Sequence, residues 1–373
     1  MVNMDTPSQC PQALHACAQV LKSWYEEIGW QVELHDLGPE TGPLLEVRNC
    51  AHRDYDAVLV GHYDTVFPLG TAKERPFRAE RGIAYGPGVA DMKNGVAVMY
   101  FVAKNLCELD ENAPAVCMLM NPDEEIGSIY STDKMRQITQ RAKSILVMEA
   151  GKIEPGEVEE HRTKKRHCRA RRGRFAFTAV FTGQSAHAGN ILERPGASAV
   201  LEAANWTKTL CAMTDAQAGI TANVGVLRGG QADNIVPDHA YLCAEVRADR
   251  IADLERLKQR IEHMADHPEV DGVTVELKDI LFRPCFETNE KTRVFMEQAQ
   301  EIAAGLGQTF ITEHRGGVSD ANTLCEGRDI ICLDGMGPCG GFAHSPEEFL
   351  VLDSVQPCIE LITQLLSALN MAN

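Results

Sequence analysis

The stretch DAVLVGHYDTVFP, residues 56–68, contains a short apolar run that ends in a histidine and an aspartate, His62 and Asp64. Such a run is typical of a strand buried on both faces of a parallel sheet. At strand spacing the two polar side chains point the same way, just past the carboxyl end of the strand, where α/β sheets build their sites. The pair by itself allows two interpretations. It is either a metal-binding histidine oriented by a carboxylate, or a loop histidine satisfied by a nearby acid.

The same pattern recurs on both sides of this stretch. Residues 30–36 alternate as a strand does, apolar runs at 115–121 and 144–150 end in polar residues, and helical patterns cover residues 11–29 and 92–106. Gly29 is the expected stop of the first helix. Alternating strands and helices predict an α/β fold with a mainly parallel sheet covered on both faces.

The pattern changes in the middle of the chain. Strands are predicted at 174–182, 221–228, 240–249 and 272–281, with helices at 195–213 and 251–264. This order predicts a smaller α+β domain with an open, mostly antiparallel sheet. A helix at 288–306 and strands near 309–312 and 329–333 then resume the α/β style. We therefore predict one α/β domain, residues 1–165 and 282–373, interrupted by an inserted domain, residues 166–281.

Length and composition exclude several classes of protein. A chain of 373 residues is too long for one ordinary core, and its net charge of -17 argues against a nucleic-acid or anionic-membrane partner. We find no apolar stretch of the ~20 residues that a membrane helix needs, and no secretory signal. The 13 cysteines form no CxxC pair, which indicates reduced thiols in a cytoplasmic protein and excludes structural zinc on CxxC knuckles.

One basic segment fits this description poorly. Residues 157–174, EVEEHRTKKRHCRARRGR, combine acidic residues and a histidine with a dense basic run. A solvated linker or edge between the domains is the favoured interpretation. A nucleic-acid patch is the alternative, which the lack of interleaved aromatic residues and the acidic chain disfavour.

Further candidate ligands follow other predicted strands or lie in loops. Asp91 stands between a glycine-rich turn and a buried helix, where it is either a helix cap or a ligand. Glu124 and Glu125 are adjacent carboxylates, which repel each other unless a cation or a proton neutralises their charge. Glu149 ends another apolar run, and His344 lies in a glycine-rich turn.

The set is more specific than any of its members. Nitrogen and oxygen ligands without thiolate suit zinc, manganese or cobalt, and zinc is the commonest choice for amide hydrolysis. Two metal ions need a bridging ligand, for which a bidentate aspartate serves. One glutamate must remain off the metals to take a proton from water and pass it to the leaving nitrogen.

Eight motifs resemble, in order and over nearly the whole chain, those of the glutamate carboxypeptidase family of co-catalytic zinc peptidases. They are GHYDTV, GPGVADMKNG, DEEIGS, VMEAG, GQSAHAG, ADNIVP, GGVSDANT and FAHSPEE. That family also contains acetylornithine deacetylase, succinyl-diaminopimelate desuccinylase and aminoacylase. The resemblance, strongest to the bacterial glutamate carboxypeptidases, implies a zinc-dependent hydrolase of a peptide or amide bond next to a free carboxylate.

The resemblance also implies residue roles at two Zn²⁺ ions per subunit, with Co²⁺ or Mn²⁺ as possible substitutes. His62, Asp91 and Glu149 resemble the ligands of one zinc, and His344, Asp91 and Glu125 those of the other, with Asp91 bridging. Glu124 matches the general base, and Asp64 matches the acid that orients His62. The peptide bond after the bridging aspartate is expected to be cis.

The inserted domain resembles a lid that also forms a homodimer. His187 matches a histidine that reaches the partner subunit's active site and holds the oxyanion, and Asn234 and Arg247 match positions implicated in binding the substrate's carboxylate. The alternatives are an ordinary loop residue for His187, a turn residue for Asn234, and an ion pair with a neighbouring acid for Arg247. The other histidines fit no motif and are expected at the surface or in packing: His15, His35, His52, His161, His167, His239, His263, His267 and His314.

Two departures from the family pattern stand out. Family members usually carry a helix ahead of the segment VNMDTPS, residues 2–8, and here that helix is expected to be short or absent. The basic segment takes the place of an alternating strand leading into the lid. We expect a small peptide or N-acyl amino acid as substrate. The alternatives are an N-acyl-amino-acid deacylase or dipeptidase and, more remotely, a catalytically silent metal-binding homologue. By resemblance, a glutamate rather than an aspartate at position 149 fits the glutamate carboxypeptidase and acetylornithine deacetylase branches.

Overall fold

The computed structural model describes residues 1–52, 54–109, 113–152 and 164–371. Contacts divide the chain into two compact units. The first unit is Met1–Ala170, Glu287–Arg315 and Ser319–Asn373, and the second unit is Arg171–Phe286 and Gly316–Val318. These bounds lie five residues from the predicted 166–281, and the short segment 316–318 is an addition. A lid or dimerisation role for the second unit stays a prediction.

Helices in the described residues have the following bounds: α1 Pro11–Glu27, α2 Thr71–Glu74, α3 Lys93–Cys107, α4 Thr132–Thr139, α5 Ala199–Cys211, α6 Ile251–Asp266, α7 Glu290–Gly305, α8 Asp320–Leu324 and α9 Val355–Met371. The predicted glycine stop of α1 is confirmed, since Gly29 has a left-handed φ of 82°. α2, α4, α8 and α9 were not predicted from the sequence.

Strands of the described residues belong to four sheets. Their bounds are β1 Gln31–His35, β2 Leu44–Arg48, β3 Ala57–His62, β4 Arg78–Glu80, β5 Ile83–Tyr85, β6 Val116–Asn121, β7 Ser144–Val147, β8 Ala150–Lys152, β9 Lys164–Arg171, β10 Gly173–Thr182, β11 Ala186–His187, β12 Thr221–Gly229, β13 Ile235–Val236, β14 His239–Ala248, β15 Thr274–Arg283, β16 Thr309–Arg315, β17 Ile331–Leu333, β18 Gly337–Gly341 and β19 Phe349–Val351.

The six-stranded sheet of the first unit has the order β1-β2-β6-β3-β7-β17. Its centre, β6-β3-β7-β17, is parallel, and β1 and β2 add an antiparallel edge. β3 and β6 are buried along their whole length, as expected for strands covered on both faces. Leu59, Met118 and Met120 pack in one core with apolar side chains of α1, α3 and α9. The predicted α/β fold is confirmed.

A second sheet in the first unit was not predicted from the sequence. It has seven strands in the order β16-β9-β8-β18-β19-β5-β4. Strands such as β4, β5 and β19 have three residues each, too few for a periodic pattern to reveal them.

The second unit contains a four-stranded antiparallel sheet, β12-β14-β10-β15. Phe175, Phe181 and Leu242 pack there with Trp206 of α5 and Ile261 of α6. The strand-helix-strand-strand-helix-strand order predicted from alternation is therefore confirmed. β11 and β13 form a separate short ribbon with His187 opposite Ile235.

The basic segment is where the sequence prediction was wrong. Residues 164–171 form the strand β9 and not a solvated linker. Lys165 and His167 are buried, because the long Lys165 stem places Nζ 2.7 Å from the carbonyl of Met336 and His167 stacks on Phe310 with ring centroids 4.0 Å apart. Residues 157–163, including His161, lie outside the described residues.

The 13 cysteines all lie in the described ranges, and their thiols are free of disulfides. Among the described residues, every helix is too short or too polar to cross a bilayer.

Candidate metal centre

The parallel strands bring the first candidate ligands together at their carboxyl-terminal ends in the six-stranded sheet. His62 ends β3 and lies in register with Asn121, the last residue of its parallel neighbour β6. Glu124 and Glu125 follow β6 in a short 3₁₀ turn, and Glu149 follows β7 on the other side of β3. Carboxyl ends of parallel strands share an edge, so these side chains converge although they are distant in sequence.

Asp91 and His344 join this edge from loops. Asp91 immediately precedes the residue that caps α3, Met92, and no side-chain cap bond is formed there, so the helix-cap alternative for Asp91 is not what the structure shows. The expected cis peptide bond between Asp91 and Met92 is confirmed. His344 adopts a left-handed φ of 64°, a conformation that non-glycine residues rarely occupy and that clusters at functional sites.

The ligand atoms form two groups that share Asp91. His62 Nε2 lies 3.2 Å from Asp91 Oδ1 and 3.6 Å from Glu149 Oε1. His344 Nε2 lies 3.2 Å from Asp91 Oδ2 and 3.0 Å from Glu125 Oε2. Within each group one donor atom per residue lies within 4.8 Å of the others. The structure thus brings together all five residues predicted as ligands.

The electrostatics of the cluster favour added positive charge. Burial alone would lower the pKa of His62, but hydrogen bonds to Asp64, Asp91 and Glu149 raise it well above its usual value. Hydrogen bonds to Asp91 and Glu125 raise the pKa of His344 to about 10. Burial raises the pKa of Glu125 to about 7, while the two histidines hold the pKa of Asp91 below its usual range against the effect of burial. Crowded carboxylates of this kind require protons or metal cations.

The donor set fits divalent metal ions. The Oε1 atom of Glu125 is buried and has no hydrogen-bond partner within the part of the chain that the structure describes. Buried carboxylate oxygens are costly unless they are paired or coordinate a cation. Two imidazoles with carboxylate oxygens suit zinc, manganese or cobalt, and a carboxylate with one oxygen toward each histidine is suited to bridge two ions.

Comparison with known proteins identifies the chain. Residues 58–368 match the model of peptidase family M20/M25/M40. This chain belongs to that family. It is therefore a hydrolase of peptide or amide bonds, and such M20 peptidases depend on metal ions.

The sequence of this M20 chain is similar to those of curated peptidases and deacetylases, and its fold is similar to that of solved structures. Carboxypeptidase G2 from Pseudomonas sp. is 26% identical over 360 residues, covering 95% of this chain and 84% of that protein. Acetylornithine deacetylase from Myxococcus xanthus is 29% identical over 280 residues, covering 70% and 68%. The fold is similar to that of aminopeptidase PepT from Bacillus cereus, with a TM-score of 0.76, 22% identity and coverage of 99% and 95%.

Asp64 contacts His62 on the opposite side of the ring from Asp91 and Glu149. Its Oδ1 lies 3.1 Å from His62 Nδ1, which leaves Nε2 of the ring facing Asp91 and Glu149. The same carboxylate accepts the backbone N–H groups of Glu124 and Glu125, both at 3.2 Å. Asp64 therefore contacts both the histidine it is predicted to orient and the turn that carries the predicted base.

Sequence reasoning missed Glu348, which holds the loop of Asp91. This buried carboxylate accepts backbone N–H groups of Gly88, Ala90 and Asp91 at 2.9, 2.8 and 2.9 Å. Burial raises the pKa of Glu348 although the three donors oppose the shift. The available signal was an acidic pair in FAHSPEE, in which Glu347 is exposed and Glu348 is buried.

The three remaining predicted residues lie in the second unit. His187 is exposed and accepts the N–H of Gly189 on Nδ1 at 3.0 Å, and the carbonyl of Asn234 accepts the N–H of Ala188 at 2.9 Å, so His187 and Asn234 lie on adjoining segments. Arg247 pairs with Glu245 at 2.8 Å and donates to the carbonyl of Gly316 at 3.0 Å. This pairing is the alternative that the sequence left open for Arg247.

A third group of possible metal ligands is better explained as an ion-pair network. Glu33, His35 and Glu46 lie together on β1 and β2. The Arg48 guanidinium contacts Glu46 at 3.2 Å and Glu33 at 3.4 Å, and Tyr55 donates to Glu46 at 2.9 Å. Because the positive charge of the Arg48 guanidinium already lies beside both carboxylates, a metal ion is disfavoured there.

Proposed function

We propose that this M20 chain is a zinc-dependent hydrolase of a peptide or amide bond next to a free carboxylate, as in carboxypeptidases. The observation that carries the proposal is the Asp91 carboxylate, whose two oxygens face two different histidines at 3.2 Å, each with a further carboxylate nearby. His62, Asp91 and Glu149 would hold one ion, and His344, Asp91 and Glu125 the other. The ions would supply Lewis acidity toward the scissile carbonyl and make bound water acidic.

Glu124 is the proposed general base and acid. Its backbone N–H is held by Asp64, and its neighbour Glu125 is directed to His344, so adjacent glutamates serve different purposes. Glu124 takes a proton from the attacking water and delivers it to the leaving nitrogen. Asp64 keeps His62 Nε2 directed at Asp91 by engaging Nδ1.

Recognition of the free carboxylate is proposed for Arg247 and Asn234. A guanidinium matches a carboxylate in a two-point hydrogen bond. Glu245 forms an ion pair with the Arg247 guanidinium, so the substrate carboxylate would compete with Glu245 for the same N–H donors. The similarity to carboxypeptidase G2 over 95% of this chain favours carboxypeptidase activity as the first candidate. The similarity to acetylornithine deacetylase supports an N-acyl-amino-acid deacylase as the second candidate.

A homodimer through the second unit is part of the proposal. β12 is an edge strand of the sheet β12-β14-β10-β15, and most of its side chains are exposed. Exposed edges offer unpaired backbone groups to a second strand. In such a dimer, His187 would steady the oxyanion in the partner subunit. A cytoplasmic location also stays a prediction, which rests on the free thiols.

The test is a substrate and metal screen on the purified chain. Dipeptides and N-acyl amino acids are offered to protein loaded with zinc, manganese or cobalt, each beside the same compound with its terminal carboxylate amidated. We expect cleavage of the acids and loss of most kcat/KM for the amides. Equal rates on both series would contradict carboxylate recognition. The faster series, peptides or N-acyl amino acids, decides between carboxypeptidase and deacylase.

A further inference from the structure

The motif GGVSDANT, residues 316–323, has no part in the mechanism above, yet its aspartate is buried in the first unit. Asp320 is the first residue of α8 and is 2% exposed. A capping box between Ser319 and Asn322 fixes this helix start. Arg136 of α4 donates twice to the carbonyl of Thr323, at 3.1 and 2.9 Å, and anchors the other end. The carboxylate therefore has a fixed position.

Both oxygens of Asp320 accept hydrogen bonds from the loop that carries Glu124 and Glu125. The Ser128 hydroxyl donates to Oδ1 at 2.5 Å, and the side-chain amide of Asn121 donates to Oδ2. Asn121 ends β6 and Ser128 follows the 3₁₀ turn, so Asp320 holds the loop at its beginning and at its end.

The loop needs such restraint because its backbone is unusual. Ser128 has a left-handed φ of 54°, which is unfavourable for a residue with a side chain, and Gly127 before it has a φ of 98°. The N–H of Ser128 donates to the carbonyl of Asp123 at 2.7 Å, and the N–H of Asp123 donates to Asn121 Oδ1 at 2.9 Å. Strained conformations of this kind persist only where surrounding contacts determine them.

Two carboxylates thus hold the turn from different sides. Asp64 accepts the backbone N–H groups of Glu124 and Glu125, and Asp320 accepts from the loop ends. We propose that Asp320 is a positioning residue that fixes Glu124 and Glu125 at the centre. This inference rests on the proposed function of those two glutamates.

The decisive variant is Asp320→Asn, which keeps the shape but replaces one accepting oxygen with a donor. Substitution of a residue that supports the metal ligands through hydrogen bonds typically lowers activity or metal affinity by about 10–100-fold. We expect kcat to fall by about that factor while KM stays within about threefold. In titration of metal-free protein with cobalt, the affinity for one of the two ions falls about tenfold, and the visible absorption of bound cobalt changes.

A second measurement needs neither metal nor substrate. Hydrogen exchange of the metal-free protein is expected to accelerate in a peptide covering residues 121–130, with little change in other parts of the first unit. Ser128→Ala removes the donor of one of the two bonds, so its effect and that of Asp320→Asn are expected to be less than additive in the double variant.

The matched control is Asp56→Asn. Asp56 is also buried and accepts the N–H of Ala115. It immediately precedes β3, at the amino-terminal end of that strand, whereas the candidate ligands lie at the carboxyl-terminal ends. We expect this variant to lose thermal stability without a change in kcat or cobalt absorption. Asp320→Asn with wild-type kcat, absorption and exchange would overturn the inference, as would equal catalytic losses in both variants. Glu124→Ala tests the proposed function separately, since wild-type turnover in that variant would show that Glu124 is not the general base.

Discussion

The Nε2 atom of His344 lies 3.2 Å from Oδ2 of Asp91, and the other oxygen of that carboxylate faces a different histidine, His62, at the same distance. One side chain is thus common to both groups of candidate ligands, and each group has its own glutamate, Glu149 or Glu125. This arrangement makes the consequences of single substitutions unequal, which gives the first prediction.

Asp91→Ala is expected to remove both metal ions, whereas Glu125→Ala and Glu149→Ala should each weaken one. The shared carboxylate faces both histidines, so its loss leaves each group with only one carboxylate. Metal content after exhaustive dialysis, measured by elemental analysis, checks this. An Asp91→Ala protein that keeps two ions would contradict the shared site.

Glu124→Ala is expected to lower kcat by about 10³-fold, the usual range for loss of a general acid–base group. Metal content should stay at the wild-type level, because Glu124 belongs to neither ligand group. Turnover and elemental analysis on the same preparation separate the two effects. Near-wild-type turnover would remove Glu124 from the mechanism.

Glu348→Gln is expected to destabilise the protein by about 2–3 kcal/mol and to lower activity. The carboxylate accepts three backbone N–H groups of the loop that carries Asp91, and an amide in its place has one accepting oxygen. Thermal unfolding and kcat measure the two effects. The neighbouring exposed residue offers a matched control, since Glu347→Gln should leave both unchanged.

Arg247→Ala is expected to lower kcat/KM at least about tenfold, mainly through KM, because a charge-assisted hydrogen bond contributes about 1.5–3 kcal/mol. Arg174→Ala is the control, since Arg174 also pairs with Glu245, at 2.6 Å. If both variants lose the same kcat/KM, Arg247 acts only through its ion pair with Glu245.

His167→Phe is expected to reduce the loss of stability on acidification. Burial, with Lys165 and Arg315 nearby, holds the pKa of His167 well below its usual value, so the ring stays neutral in the folded protein. Below pH ~6.5 the unfolded chain binds a proton that the folded chain does not, and stability falls by up to about 1.4 kcal/mol per pH unit.

Unfolding of the wild-type and the His167→Phe variant at pH 5 to 7.5 measures this slope. Phenylalanine keeps a ring against Phe310, which His167 stacks on at 4.0 Å, and it does not titrate. The exposed His15, replaced by glutamine, provides a control that should leave the slope unchanged. Equal slopes in all three proteins would contradict a cost of charging His167.

The sequence by itself determined the α/β class, the antiparallel sheet of the second unit and the candidate ligands at strand ends. His62 ends one short apolar run and Glu125 follows another, and the burial of a strand on both faces is a local property that its composition records. Asp91 and His344 were ambiguous as single residues and gained meaning only as members of an ordered set of motifs.

Tertiary structure decided the rest. The sharing of Asp91 between two histidines, and the hold of Glu348 and Asp320 on neighbouring loops, depend on long-range packing that no local period encodes. The burial of Lys165 and His167 is the clearest case. A basic run is typical of a solvated segment, but here the carbonyl of Met336 and the ring of Phe310, both distant in sequence, provide the partners that allow burial.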